Sequence, residues 1–422
     1  MIFKRIDILF ALILTMAAFG LGHADVNGNS VASSDSFPIN KGKLVFHSYT
    51  DYSSGDGKLF IYDFGADTLV EISKNWNIHH TINGHFSPDG KELVFMAQPA
   101  GQSSYNSWNI YLWSVGSENE PERLTPNNNI PNEDPKFFPD GQRIVFKQNG
   151  DIKILNLSTK QITAVTSDGF DVEESMPYPT TDGEKIVYTK NSKIYIIDID
   201  GTNDRALTTE NHLGCYYPIV KDDTSYFYPR WYSTINHHDD VYLGNLLDGT
   251  SVRCPFNKIN DDDSDPFPVS NTDYVFFSSN RSGGQGDWDI YLGNAKTGQV
   301  WLLNKFGINS AKMELGSAYY CNNTTVIYNR QPDRSMGFIL RQNYPNPFNP
   351  STIIIYRLPE SGEVELSVYT LLGEKIRTLV NTYQRAGKYT IRFYAAGLSA
   401  GVYFYKLTTG KNTWMRKMLL MR

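Results

Sequence analysis

The feature that most constrains the fold of this chain is a short sequence motif that recurs along residues 41–330, which we call the repeated phrase. Its clearest copies are HFSPDGKELVFMA (85–97), KFFPDGQRIVFKQ (136–148) and YPTTDGEKIVYTK (178–190), with a degenerate copy, PFPVSNTDYVFFSSN, at 266–280. A polar turn between two apolar or alternating runs is the pattern of a β-hairpin. A second apolar run and a shorter third run follow most copies, so each copy predicts four short strands. Repeated four-stranded sheets form the blades of a β-propeller.

The spacing of the copies gives the number of blades. Equivalent positions recur every 39 to 51 residues, at Val45, Val94, Val145, Val187, Tyr226, Val275 and Val326. The first copy (43–73) lacks an inner strand, and the last copy (314–329) lacks the outer strands. We therefore expect the two ends to share one blade, which leaves no open sheet edge. The prediction is an all-β chain with a six-bladed propeller; seven blades follow if both ends form separate partial blades.

The composition changes at Leu340. Residues 340–422 contain 12 Lys/Arg and 4 Asp/Glu, a net charge of +8, whereas the preceding 339 residues contain 27 and 41, a net charge of −14. Short alternating runs after a Pro/Asn-rich stretch predict five to seven antiparallel strands in a small Ig-like β-sandwich. The two parts therefore have separate folds and different charges.

The N-terminus predicts an export signal. Lys4 and Arg5 precede an apolar run, Ile8 to Leu21, and small residues then lead to a cleavage site after Ala24. The run is about 14 residues long, shorter than the ~20 that a membrane-spanning helix needs. We expect residues 1–24 to be a signal peptide recognised by the Sec translocon, with no transmembrane span in the mature chain.

The repeated motif is similar to that of a known protein family. The phrase SPDGKELVF, followed by runs such as DIYLGNA and RLT, resembles the TolB-like β-propellers, which are related to the WD-repeat (WD40-like) propellers. The resemblance implies a propeller fold with a ring of loops for binding. It implies no reaction, because one fold carries many functions.

The C-terminal part resembles the type A sorting domain of the type IX secretion system. The matching positions are Tyr344, Pro345, Asn346, Pro347, Phe348, Asn349, Pro350, Gly373, Gly387, Gly401, Tyr403 and Lys417. The resemblance implies a Gram-negative exporter in which this domain delivers its cargo across the outer membrane. It further implies the type IX machinery as partner, and a product that is anchored at the cell surface or released.

These observations predict five segments. They are a signal peptide (1–24), a linker (25–40), the TolB-like propeller (41–331), a Pro/Asn-rich linker (332–350) and the sorting domain (351–422).

One acidic run is a candidate metal site. Asp261, Asp263 and Asp265 place carboxylates at alternate positions, as in a calcium-binding loop, but the glycine and bidentate glutamate of an EF-hand are missing. A solvated loop is the competing interpretation. His79, His80 and His85, and the pair His237-His238, are further candidates, although neighbours in a strand point to opposite faces.

No residue pattern identifies a catalytic site. Gly397-Leu398-Ser399-Ala400-Gly401 matches the G-x-S-x-G pattern, but an alternating strand follows instead of a helix, and no histidine lies beyond His238. We read this segment as a turn between strands. We assign no catalytic residue and no cofactor. Three cysteines, an odd number, make a poor disulfide framework.

The sequence thus favours an exported propeller that binds a protein or glycan ligand by its loops. The acidic balance argues against nucleic acid as a ligand. The alternative is a polysaccharide lyase or glycoside hydrolase in the propeller mouth. That alternative requires His, Arg or carboxylate side chains that converge on the central strands.

Overall fold

The structure, a computed structural model, describes residues 37–169, 172–208, 214–231, 238–259 and 261–321, and residues 339–421 except 341, 344–345, 359, 372, 385–386, 396 and 411. The predicted cleavage site at Ala24, and Val326, Tyr344 and Pro345, lie outside the described residues. Internal contacts divide the chain into two compact units, Met1–Tyr328 and Asn329–Arg422. The exact domain boundaries given above stay predictions.

The first unit is built of short strands. They are β1 (Lys43–Tyr49), β2 (Lys58–Asp63), β3 (Thr68–Glu71), β4 (Ile78–Phe86), β5 (Glu92–Pro99), β6 (Asn109–Ser114), β7 (Glu122–Arg123), β8 (Asn132–Phe137), β9 (Arg143–Gln148), β10 (Asp151–Asn156), β11 (Ile162–Ala164), β12 (Glu174–Pro179), β13 (Lys185–Lys190), β14 (Lys193–Asp198), β15 (Arg205–Ala206), β16 (Gly214–Cys215), β17 (Ile219–Asp222), β18 (Ser225–Trp231), β19 (Asp239–Asn245), β20 (Ser251–Arg253), β21 (Asp263–Pro268), β22 (Tyr274–Ser279), β23 (Asp289–Asn294), β24 (Val300–Leu302) and β25 (Met313–Tyr320).

The strands of this unit form six antiparallel sheets, which are the blades of a propeller. Blade 1 has the order β25-β1-β2-β3, blade 2 β4 to β7, blade 3 β8 to β11, blade 4 β12 to β15, blade 5 β16 to β20, and blade 6 β21 to β24. The inner strands contact from blade to blade, and β25 contacts both β4 and β21, so the ring is closed. The predicted six-bladed all-β fold is confirmed.

Ring closure uses both ends of the propeller. Strand β25 supplies the inner strand of blade 1 and pairs antiparallel with β1, from Lys43 opposite Tyr320 to Tyr49 opposite Met313. This pairing is the shared blade that the truncated first and last copies predict. It occupies the edge that β1 would otherwise leave open.

The repeated phrase has a simple structural role in each blade. Its turn joins the inner strand to the second strand, and its glycine takes a positive φ, as at Gly90, Gly141 and Gly183. The valines that follow, such as Val145 and Val187, are fully buried in second strands. The phrase therefore fixes both the hairpin and the packing of each blade against its neighbours.

The second unit is a sandwich of two antiparallel sheets. Its strands are β26 (Ile339–Leu340), β27 (Ser351–Leu358), β28 (Gly362–Thr370), β29 (Lys375–Gln384), β30 (Gly387–Tyr394), β31 (Gly401–Thr409) and β32 (Asn412–Leu420). One sheet has the order β26-β27-β30 and the other β29-β28-β31-β32. Buried residues of both sheets, among them Ile354, Tyr356, Leu366 and Leu407, form one core. The predicted β-sandwich is confirmed.

Candidate functional site

The innermost strands share an unusual backbone feature that surrounds the central channel. At one equivalent position, each blade contributes a residue in the left-handed conformation, with φ between 43° and 59°: Asn83, Asp134, Met176, Tyr217, Asp265 and Gly316. Strand β4 holds a second left-handed residue, His80, outside this set. Five of the six lie at a register shift in their blade, and Tyr217 lies between β16 and β17. Such bulges redirect side chains and are enriched beside functional sites. We call these six residues the channel ring.

Side chains of the ring meet across the channel. Asn83 Nδ2 donates to Asp134 Oδ1 at 2.8 Å and lies 3.2 Å from the hydroxyl of Tyr217. Because Asn83 belongs to blade 2 and Tyr217 to blade 5, this contact spans opposite blades of the ring. On another side, the backbone N–H of Gly316 donates to Asp265 Oδ2 at 3.3 Å. The ring is therefore a connected polar layer.

A second layer lies two residues further along each inner strand. It contains His85, Lys136, Tyr178, Ile219, Phe267 and Ala318. His85 Nε2 lies 3.2 Å from the hydroxyl of Tyr178, and its ring is 6.0 Å from that of Phe267. Burial lowers the pKa of His85 well below its usual value, so the imidazole is neutral. These side chains narrow the channel beneath the ring.

A small cavity remains between the two layers. Its volume is about 30 Å³, and Asn83, Lys136, Tyr217, Asp265 and Ser317 are among the residues that line it. This volume admits roughly two water molecules. A sugar ring or a peptide side chain is too large for it, so a large ligand would have to bind above the ring.

Asp265 and Lys136 line this cavity, and a second carboxylate, Asp134, contacts the lining residue Asn83. Burial raises the pKa of Asp134, and it raises the pKa of Asp265 to about 6. Burial also lowers the pKa of Lys136, whose Nζ donates to the carbonyl of Pro135 at 3.3 Å. Among the described residues, no cation lies within 4 Å of either carboxylate. Both carboxylates are therefore desolvated without a direct ion pair.

Aromatic side chains of blades 1 and 2 lie at the end where the inner strands begin, which we call the mouth. The His80 ring lies 4.9 Å from that of Trp108 and 5.5 Å from that of Tyr52. Burial, together with the nearby Glu133 and Asp134, raises the pKa of Tyr52. Tyr105 is 39% exposed and donates to Glu133 Oε2 at 2.7 Å. The mouth thus combines aromatic rings with negative charge.

The acidic run at 261–265 lies mostly in β21 rather than in a solvated loop. Asp263 is fully buried and paired with Arg281 at 2.6 Å, and burial raises its pKa to about 6 despite that partner. Asp265 points to the channel, and Asp261 precedes the strand. Within the described ranges, no three His, Cys, Asp or Glu side chains converge as metal ligands. The three aspartates are therefore not brought together as one site.

The described histidine candidates for a metal site also lie apart from one another. His85 faces the channel, whereas His80 Nδ1 accepts from the backbone N–H of Gly57 at 3.1 Å in the mouth. In the second unit, Ser399 lies in the loop between β30 and β31, and its carbonyl accepts from the Tyr403 hydroxyl at 2.7 Å. This placement agrees with a turn rather than a nucleophile at a helix N-terminus.

The predicted sorting residues have structural partners where they are described. Asn346 Oδ1 accepts from the backbone N–H of Leu419 at 2.8 Å, and buried Phe348 pairs by its backbone with Leu419 and Met421. The peptide bonds before Pro347 and Pro350 are cis. The Pro/Asn-rich segment therefore covers the end of the C-terminal strand.

The remaining sorting residues lie at strand starts, in turns and on an exposed strand. Gly373 has a φ of 82° in the turn between β28 and β29, Gly387 begins β30, and Gly401 begins β31. Asn349 and Pro350 are exposed just before β27, and Lys417 is exposed on β32. Their roles in sorting stay predictions.

Sequence reasoning missed most of the channel ring. Asn83, Met176 and Tyr217 share no side-chain type, so no motif marks their common position. One signal was available: four of the six ring residues are followed by proline, at positions 135, 177, 218 and 266. Proline removes a backbone donor, so its recurrence in predicted inner strands marks a bulge.

Comparison with known proteins agrees with this architecture. The family model of the TolB beta propeller domain matches residues 28–215, and that of the secretion system C-terminal sorting domain matches residues 342–421. The propeller is therefore similar to the TolB propellers, and the second unit is similar to secretion-system sorting domains. The sorting domain directs the chain through type IX secretion to the cell surface or the extracellular space. Both resemblances read from the sequence are confirmed.

One solved structure supports the fold. TolB from Acinetobacter baumannii is 17% identical with a TM-score of 0.51, and the match covers 66% of each chain, just under two thirds of that structure. A nidogen/laminin complex (14% identity, TM-score 0.45, 67% of this chain and 100% of that one) is also similar. So is a putative TolB from Agrobacterium tumefaciens (15% identity, TM-score 0.44, 66% and 98%). No curated protein matches the chain. In the part of the chain that the structure describes, no helix has the length and apolarity to cross a bilayer.

Proposed function

We propose that this exported propeller is a binding protein that takes a protein or glycan ligand at the mouth of its channel and catalyses no reaction on it. The observation that carries the proposal is the channel ring, where Asp134 and Asp265 are desolvated without an ion pair beside the Tyr217 hydroxyl. These carboxylates already accept from Asn83 and from the Gly316 N–H, and a ligand with donor groups would add further hydrogen bonds that offset their desolvation. Aromatic Tyr52 and Tyr105 at the mouth suit a sugar face or a peptide side chain.

Export supports the same proposal. A sorting domain places the propeller where extracellular proteins and polysaccharides are the available ligands. We expect the signal peptide to pass the chain to the Sec translocon first, and the type IX machinery to complete the export. The mouth loops then form the surface that meets the ligand.

A glycan array and a random peptide display library test the proposal with the purified full chain. We expect binding to at least one class, and a loss of about tenfold or more in affinity for the Asp134→Asn, Asp265→Asn double variant. The matched control is Asp200→Asn with Asp248→Asn, which removes two exposed turn carboxylates. Equal binding by both double variants would place the ligand elsewhere than at the ring.

One observation favours the catalytic alternative. Asp134 and Asp265 both have a raised pKa, and Asp265 lines the cavity with Lys136. Two such carboxyl groups with separated roles can act as general acid and base. The 30 Å³ cavity argues against it, because a scissile bond must reach those groups. Release of reducing ends from plant and algal polysaccharides, abolished by Asp265→Asn, would establish the hydrolase or lyase instead.

A further inference from the structure

The four-stranded sheet of the second unit has one face turned away from its own core. Leu366, Val368, Tyr405 and Leu407 point inward and are fully buried. Because side chains alternate along a strand, their neighbours point to the opposite face. Within its own unit, the three-stranded sheet covers only the inner face.

This outer face is apolar and cationic. In register, Tyr369 lies beside Phe404 and Phe404 beside Lys417; Lys406 lies beside Met415, and Val402 beside Leu419. We call these seven residues the outer face. Met415 is 54% exposed and Leu419 38% exposed. A solvated face of an antiparallel sheet is normally polar, so exposed apolar residues on it mark an interaction surface.

The charges of the outer face are only partly neutralised. Glu365 points to the same side of β28 as Tyr369, where it pairs with Lys375 and attracts Lys406. Lys406 Nζ lies 4.8 Å above the ring of Tyr369, and in the described part of the chain neither Lys406 nor Lys417 has a carboxylate oxygen within 4 Å. The whole segment from residue 340 carries a net charge of +8. Charge complementarity therefore favours an acidic partner.

Strand addition at the C-terminal edge is a weaker route for docking. Strand β32 is an edge strand, but Phe348 donates to the Leu419 carbonyl at 2.9 Å and accepts from the Met421 N–H at 2.9 Å. The backbone groups at this end of the edge are thus already used, whereas β-augmentation needs them open. The end of β32 is therefore closed to strand addition, and the outer face offers a partner side chains rather than backbone groups.

We propose that the outer face is the docking surface by which the sorting domain binds the export machinery, through an acidic protein surface with an apolar centre. The inference rests on the export function of this domain and adds the surface and the chemistry of the partner. The apolar residues supply buried area, and Lys406 and Lys417 supply orientation and selectivity.

Charge reversal in the full chain tests the proposal in a type IX-secreting host. We expect Lys406→Glu with Lys417→Glu to lower the fraction at the surface and in the medium by about tenfold or more, with accumulation in the periplasm. The matched control is Arg357→Glu with Lys388→Glu; Arg357 is exposed on the other sheet and lies opposite Lys388 in register. Export of the control should stay within about twofold of the unchanged chain. Equal export of both double variants would overturn the proposal.

A second measurement keeps the test independent of folding defects. A photo-crosslinking residue at Met415, with Ile355 on the other sheet as the control position, reports what touches the outer face during export. We expect adducts with an acidic protein of the type IX machinery from position 415 and none from position 355. Adducts with lipid, adducts with a second copy of this chain, or equal adducts from both positions would overturn the proposal.

Discussion

Ser48 Oγ donates a hydrogen bond of 2.8 Å to Glu314 Oε1, although 266 residues separate the two in the chain. Both side chains are buried in blade 1, where β1 pairs with β25. Glu314 also accepts from the backbone N–H and the hydroxyl of Ser310, at 3.0 and 2.6 Å. This buried carboxylate therefore links the first and last strands of the propeller at the point where the ring closes.

Removing this carboxylate should weaken ring closure. We expect Glu314→Ala to lower the free energy of unfolding by about 2–4 kcal/mol, because buried donors of Ser48 and Ser310 lose their acceptor. Urea unfolding followed by tryptophan fluorescence reports on the propeller, since six of the seven tryptophans lie before residue 302. Glu122→Ala, which breaks an exposed pair with Lys160, should change stability by less than about 1 kcal/mol. Similar values for both variants would contradict a special role for the closing contact.

Loss of the first copy should have a larger effect than any single side chain. Deleting residues 25–75 removes β1, β2 and β3, which leaves β25 without its partner strand and exposes the inner faces of blades 2 and 6. We expect the cooperative unfolding transition to disappear. A deletion of residues 116–119, in the connection between β6 and β7, is the control and should leave the transition in place. A sharp transition in the larger deletion would mean that the ring closes without blade 1.

The closing blade could be predicted because truncation at both ends is visible in the sequence. The channel ring could not be predicted, because a bulge breaks the alternation of side chains from which strands are predicted. Asp263 and Asp265 show the consequence. Two residues apart in a regular strand, they would share a face, but the left-handed Asp265 turns one toward Arg281 and the other toward the channel. Residue spacing alone therefore predicts a solvated loop where the structure has a strand.

Gly316 tests how tightly the ring is packed. Its φ is +59°, and a Cβ there would lie 2.4 Å from His47 Cε1 and 3.0 Å from Asn83 Oδ1. We expect Gly316→Ala to lower the free energy of unfolding by about 2–4 kcal/mol, from left-handed strain of about 1–2 kcal/mol plus displacement of a buried imidazole. Gly101→Ala is the control, because Gly101 has a φ of +77° with no atom within 4 Å. It measures the strain alone, and an equal loss in both variants would show that the ring tolerates the methyl group.

Asp265 should make stability depend on pH in an unusual direction. Its pKa is raised by burial from 3.8 to about 6, so between these values the folded chain binds more protons than the unfolded chain. Stability contributed by this group therefore falls as pH rises through that window. We expect Asp265→Asn to raise the free energy of unfolding by about 1–3 kcal/mol at pH 7 and to leave it nearly unchanged at pH 4. A variant that is less stable than the unchanged chain at pH 7 would show that the carboxylate is compensated.

The last prediction concerns the independence of the two units. The propeller and the sandwich have separate hydrophobic cores, one including Leu44 and Phe276 and the other including Leu366 and Tyr405. A unit with its own core folds alone, so deleting residues 340–422 should leave the propeller folded but trapped in the periplasm. Cell fractionation, protease resistance of the periplasmic fraction and N-terminal sequencing, with a start expected near Asp25, check each part of this prediction. A full-length cytoplasmic product would contradict the signal peptide, and normal release of the truncated chain would contradict the role of the sorting domain. A degraded periplasmic fragment would instead show that the sandwich stabilises the propeller.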